Sequence, residues 1–323
     1  MKKIILLVLC ILLVGCKAKE EDIINKLKEQ LNVSSYYMKG NLTIINNEDS
    51  FLYDVEIAYE KENKFKVVLN NKINNHTQII LRNDEGVYVL TPSLNKSFKF
   101  QSDWPYNNSQ IYLIQTVIND IINDSSSTIE KVNNEYIYTS SVNYANNSSL
   151  IKQKVYMDKD ATITKVDVID DKDNVLMTME FTEIDMNHDF SEDYFNLESS
   201  LNVSSEVTNY KTTIDKIIFP LYLPDGTYLE TKDVVDTETG QRAILTFGGA
   251  KPFMLVEETL NANSKIISMF GEPILVSDTI GALSESSLTW YSNGIEYYIT
   301  ASNMTQDELI NIASSLGNIA VSK

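Results

Sequence analysis

Cysteine is almost missing from this 323-residue chain: there are two, Cys10 and Cys16, both close to the N-terminus. Beyond them a disulfide framework and a cysteine metal site are excluded. Histidine is as scarce, and His76 and His188 leave no second imidazole near either one in sequence. Basic residues are outnumbered, 27 Lys and Arg against 45 Asp and Glu, for a formal charge of -18. Such a surface repels phosphate and no basic cluster offsets it, so nucleic acid is excluded as a partner. Long apolar runs are also missing. The most apolar stretch, residues 4–14, would reach only about 16 Å as a helix, roughly half of a hydrocarbon core. What is present is 43% hydrophobic and 10% aromatic content, enough for a substantial core and, at this length, two domains. Asn is abundant throughout, and the Asn-x-Ser/Thr triplets at Asn32, Asn41, Asn146 and Asn202 follow that richness rather than marking glycosylation.

Lys2 and Lys3 precede the apolar run and small Gly15 closes it, the order of a secretory signal peptide, so residues 1–15 are expected to be removed. Leu13-Val14-Gly15-Cys16 resembles the bacterial lipobox. That resemblance implies recognition of Leu13, Val14 and Gly15 by a signal peptidase and cleavage before Cys16. It also implies diacylglycerol on the Cys16 sulfur, with an N-acyl chain of the palmitate kind, and attachment to the extracytoplasmic face of the bacterial cell membrane. One fatty chain binds marginally; two suffice for lasting attachment. With Cys10 discarded and Cys16 acylated, no thiol nucleophile remains. Behind Cys16, Ile23, Ile24, Leu27 and Leu31 form one helical stripe. Its polar face mixes Glu with Lys, which favours packing on its own domain over lying on a bilayer.

From residue 35 the period changes. Tyr53, Val55, Ile57 and Tyr59 alternate with polar residues, residues 61–63 turn, and Phe65, Val67 and Leu69 resume the alternation. These are antiparallel strands with one buried face, and the pattern repeats across residues 76–92 and 95–101. A helix then interrupts, with residues 107–109 offering caps and Ile111, Ile114, Val117, Ile118, Ile121 and Ile122 as its apolar face. Strands are predicted again over 128–132, 135–142, 150–158, 163–169 and 175–185. Residues 199–216 read as a polar linker. In the last part, strands are predicted over 228–236, 242–247, 253–260, 287–291 and 295–301. Asn293-Gly294 is the strongest hairpin signal. Thr305 and Glu308 form a capping box ahead of a stripe of Leu309, Ile312, Ala313 and Leu316. The expected organisation is a signal peptide (1–15), a lipidated terminus with the first helix (16–34), a β-rich domain (35–198), the linker (199–216) and a small α+β domain (217–323).

The stretch NDEGVYVLTPSLNKSFKFQSDWPYNNSQIYLIQTVINDII, behind a lipobox and amid an antiparallel meander, resembles the LolA-like lipoproteins. Among these it is similar to the YdcC-type sporulation lipoproteins and the germination lipoprotein GerS group. The resemblance covers roughly residues 35–195. The later stretch LTWYSNGIEYYITASNMTQDELINIASSL is similar to a small uncharacterised domain that often follows this module. The resemblance implies an α+β, mainly antiparallel fold: an unclosed, curved β-barrel wrapped around helices, plus a second, smaller α+β domain. Ile111, Ile114, Val117, Ile118 and Ile121 are then the candidate lining of an apolar concave face. In carriers of this fold that face holds acyl chains, and sigma-factor regulators of the RseB type use a similar plan to sense lipoproteins. No match is found for the carrier residues that open and close a lipid cavity, and an anchored protein cannot shuttle. The expectation is therefore a non-enzymatic binding or scaffold lipoprotein of sporulation or germination, with a cell-wall or spore-envelope protein partner. The alternative is acyl-chain or lipoprotein binding through the concave face. Long strand edges in an unclosed barrel make a homodimer by strand exchange a further expectation.

Chemistry finds little footing. His188 has Asp185, Asp189, Glu192 and Asp193 nearby, but the ordinary reading is a loop leading into a helical turn. Residues 170–174, DDKDN, lack the glycine and glutamate of a calcium loop and read as a hairpin turn. Residues 247–252, FGGAKP, lack the Gly-Lys-Ser/Thr ending of a phosphate loop. Trp104 and Trp290 sit beside apolar periodicity and are expected in the core. Neither an enzyme, a metal nor a cofactor other than the lipid on Cys16 is expected.

Overall fold

The computed structural model describes residues 21–46, 49–144, 147–201, 212–260, 266–276 and 278–316. In chain order, helix α1 (residues 21–30) precedes β1 (Ser35–Asn46), β2 (Asp49–Glu60), β3 (Lys64–Asn71), β4 (Thr77–Asn83), β5 (Gly86–Thr91), β6 (Lys96–Phe100) and α2 (Ile114–Asn123). There follow β7 (Thr128–Val132), β8 (Glu135–Ser141), β9 (Lys152–Met157), β10 (Ile163–Ile169), β11 (Val175–Met186) and the short α3 (Leu197–Leu201). The rest comprises β12 (Thr227–Thr237), β13 (Gly240–Gly249), β14 (Phe253–Thr259), β15 (Ile266–Met269), β16 (Glu272–Val276), β17 (Thr279–Leu283), β18 (Ser287–Ser292), β19 (Ile295–Thr300) and α4 (Gln306–Ser314). The fold is α+β and mainly antiparallel, in sheets that do not close.

The chain divides into two units. The first takes Met1–Ser50, Pro105–Ala145 and Ser149–His188. Its strands run β1-β11-β10-β9-β8-β7, antiparallel at each step. α1 buries Ile23 and Leu27, the inward residues of its stripe. It is tied down where Gln30 Nε2 donates to the Ala161 carbonyl at 2.7 Å and Lys26 Nζ to the Lys159 carbonyl at 3.2 Å. The helix thus packs on its own unit.

Residues 107–109 do not cap the central helix, and Ile111 precedes it. α2 starts at Ile114 with Leu113 at the N-cap and no side-chain cap. The Ser109 N–H donates to the Asn143 carbonyl at 2.8 Å, and its hydroxyl reaches Asp120 Oδ2 at 2.7 Å, so this serine is engaged elsewhere. Thr116, inside the first turn, instead accepts the Gln110 N–H at 3.1 Å and donates to the Gln110 carbonyl at 2.8 Å.

The second unit takes Phe51–Trp104, Asn146–Ser148 and Asp189–Lys323. Strands β2 to β6 form an antiparallel meander, and β15 adds to it in parallel, Ile266 opposite Ser97 and Met269 opposite Phe100. A second sheet runs β12-β13-β14-β19-β18-β17-β16. Leu309, Ile312 and Leu316 from α4 and its C-terminal turn join a core with Leu255, Trp290 and Ile299. The predicted capping box is present: Thr305 Oγ1 accepts the Glu308 N–H at 3.2 Å, and Glu308 Oε2 accepts the Thr305 N–H at 2.9 Å. Asn293 and Gly294 both adopt positive φ, 52° and 79°, as a tight hairpin turn between β18 and β19 requires.

Candidate functional site

The apolar residues of the central segment converge. Ile111, Ile114, Val117, Ile118 and Ile121 are all at most 1% exposed, and removal of each from water contributes about 1.5–3 kcal/mol. The resemblance makes them the candidate lining of a concave face; four of them lie on α2, which meets β8. Polar pins hold the helix in place. The Tyr36 hydroxyl donates to Gln115 Oε1 at 2.6 Å. The buried Gln153 amide donates to the Val117 carbonyl at 3.0 Å and contacts the Ser140 hydroxyl at 3.1 Å. Burial pushes the Asp120 carboxyl up to about 6, partly offset by the Ser109 hydroxyl. A helix so pinned shows little of its apolar face.

One of the five residues reaches an opening. Ile114 lines a pocket of about 360 Å³ together with Gln30, Met38, Thr162, Ile163, Ile184 and Met186. Pairing of β1 with β11 assembles it: Met38 lies opposite Ile184, and Tyr36 opposite Met186. Met38 and Ile163 are buried, whereas Ile184 and Met186 are half-buried. The Gln30 amide is already engaged with Ala161. Five apolar side chains, two of them adaptable methionines, suit contact with hydrocarbon or an apolar side chain. They offer no acid, base or nucleophile. Met38, Ile184 and Met186 escaped sequence reasoning, because the pocket exists only through the register of two strands far apart in the chain.

The remaining candidates have structural surroundings. His188 Nδ1 lies 2.6 Å from Asp185 Oδ2, with its ring 5.3 Å from that of Tyr37. Among the described residues no group of three or more His, Cys, Asp or Glu is placed to hold a metal ion. Burial lowers the His76 pKa, and the His76 N–H donates to Asn74 Oδ1 at 2.9 Å in a turn. Asp170 accepts the N–H groups of Lys172 and Asn174 at 2.9 and 2.8 Å, so DDKDN is the β10–β11 turn. In FGGAKP, Gly249 ends β13 with a φ of 97° at the turn toward β14. Trp104 is 1% exposed and packs T-shaped on Phe65 with ring centroids 6.0 Å apart, and Trp290 is 4% exposed and stacked on Tyr297 with centroids 5.2 Å apart. Leu13, Val14, Gly15 and Cys16 lie outside the described residues. No helix among the described residues is long and apolar enough to cross a membrane.

A family model described as sporulation protein YdcC-like matches residues 1–195, and one for a domain of unknown function, DUF4367, matches residues 217–316. The sporulation protein YdcC of Bacillus subtilis (strain 168) is 34% identical over 314 residues, which span 95% of this chain and 93% of that protein. Among solved structures, the MucA/MucB complex of Pseudomonas aeruginosa aligns at 14% identity with a TM-score of 0.33, covering 91% of this chain and 96% of the matched one. A LolA superfamily protein of Nitrosomonas europaea aligns at 10% identity with a TM-score of 0.33, covering 55% and 98%. By the extent of the family match and the near full-length identity to its Bacillus relative, this chain belongs to the sporulation protein YdcC-like family.

Proposed function

We propose that this chain is a lipid-anchored protein of the extracytoplasmic membrane face that acts in sporulation by binding, as a non-enzymatic scaffold for a protein partner in the cell envelope. The observation that carries the reading is the pinned α2, whose apolar face is spent on the core and which offers surface rather than a reactive interior. Membership of a sporulation family supports the setting. The Leu13-Val14-Gly15-Cys16 motif supports the anchor. The test is affinity capture of the tagged full chain from membranes of sporulating cells, beside a Cys16→Ser chain. One envelope protein is expected to co-purify, and Cys16→Ser is expected to leave the membrane fraction. Capture of nothing specific overturns the scaffold, and an unaltered membrane fraction for Cys16→Ser overturns the anchor.

The pocket at Met38, Ile114, Ile184 and Met186 favours a second reading, in which it receives an acyl chain or the lipid of another lipoprotein. A fluorescent fatty acid is then expected to bind, and Ile184→Trp, which fills the opening, to abolish that binding. A wild-type chain that binds no fatty acid ends this alternative.

A further inference from the structure

Strand β12 is one edge of the seven-stranded sheet. Nine successive residues, 228–236, are exposed, so neither face of the strand is covered by described residues. Tyr228, Leu229, Val234 and Val235 are among the exposed large apolar side chains, with Val234 50% exposed. An edge of this length and apolarity is a template for another strand unless something blunts it. The blunting is local: a register shift between Leu229 and Thr231 disturbs the first part. From Thr231, opposite Thr246, to Thr237, opposite Gly240, the pairing with β13 is unbroken. That leaves a regular edge seven residues long.

We propose that the occupant of this edge is the same strand of a second copy, joined antiparallel across a two-fold axis. Residues opposed in an antiparallel pair share a face, and faces alternate along a strand, so a symmetric pair must set one residue opposite itself. Centring on Lys232 opposes two lysines, and centring on Asp233 opposes two aspartates, which disfavours both. Centring on Thr231 runs into the register shift. Centring on Val234 uses the whole regular edge. Val234 then meets Val234, Lys232 meets Asp236 twice, Thr231 meets Thr237 twice, and Asp233 lies beside Val235. Asp236 also accepts the Gln241 amide at 3.1 Å, which steadies its carboxylate for this pairing. The overall charge of -18 opposes association, but repulsion beyond about 8 Å is screened at physiological ionic strength. The reciprocal Lys232–Asp236 pairs are in contact and set the register. This surface goes beyond the scaffold reading and stands whether or not an envelope partner is found.

The test uses the full chain in membranes with Cys10→Ala and Val234→Cys, treated with a short bis-maleimide. A covalent dimer is expected from Val234→Cys and not from Thr237→Cys, whose counterpart is Thr231, nor from a chain with neither. Lys232→Asp or Asp236→Lys alone is expected to cut cross-linking at least tenfold, and the two together to restore it. Circular dichroism of each variant confirms that the fold is kept. No dimer from Val234→Cys, a dimer indifferent to Lys232→Asp, or a cross-link to a different protein at position 234 overturns the proposal.

Discussion

Glu257, on β14, is a carboxylate at 1% exposure whose Oε1 accepts the Ile218 N–H at 2.8 Å and whose Oε2 has no partner among the described residues. Burial pushes its pKa up to about 7, against the pull of that N–H. The unfolded chain ionises this group near 4.5 and the folded chain near 7, so the folded state holds the proton through that interval. Stability from this residue is therefore greatest at acid pH and is lost as pH rises from about 4.5 to 7. Asp120, raised to about 6, acts in the same direction. Urea midpoints are expected to fall between pH 5 and pH 8. Glu257→Gln should remove much of that fall and gain on the order of 1 kcal/mol at pH 8. A second residue-level case is Gly40 on β1, where an added Cβ would stand 2.2 Å from the Glu180 carbonyl oxygen. Gly40→Val is expected to cost about 1–3 kcal/mol by denaturant titration. Side-chain identity alone did not reveal that pocket. Ile114 carries a helical stripe and is legible, whereas Met38 and Ile184 face each other only because β1 and β11 take one register with an irregularity at Lys39/Gly40. A slip of one residue would turn both away.

At the scale of elements, legibility follows how local the cause is. α4 could be placed from Thr305 and Glu308, and the β18–β19 hairpin from Asn293-Gly294, since each signal lies inside the element it specifies. Thr305→Ala should cost about 1 kcal/mol in thermal unfolding. α2 starts later than its sequence signals suggest because Ser109, a capping residue type, is committed over longer range to Asn143 and Asp120. Strands β15, β16 and β17 carry no readable alternation. β17 is buried at all five positions, including Gly281, where an added Cβ would stand 2.8 Å from the Thr289 carbonyl oxygen. β16 contains Pro273, and β15 is four residues long with a partner far back in the chain.

For the molecule as a whole, the parallel seam between β15 and β6 matters most. It joins the part matched by the YdcC-like family model to the part matched by the domain of unknown function, within one unit. A chain ending after residue 201 lacks β15 and bares the β6 edge. In detergent it is expected to aggregate where the full chain does not, which light scattering at equal concentration checks. The same seam sets a timetable for biogenesis. Ile266 follows Ser97 by about 170 residues, so at ribosomal speeds β6 leaves the exit tunnel roughly 10–30 s before its neighbour has been made. For that interval the β6 border of an emerging polypeptide stays open, so delaying synthesis between the two strands is expected to lower the yield of folded chain, which pulse-chase proteolysis checks.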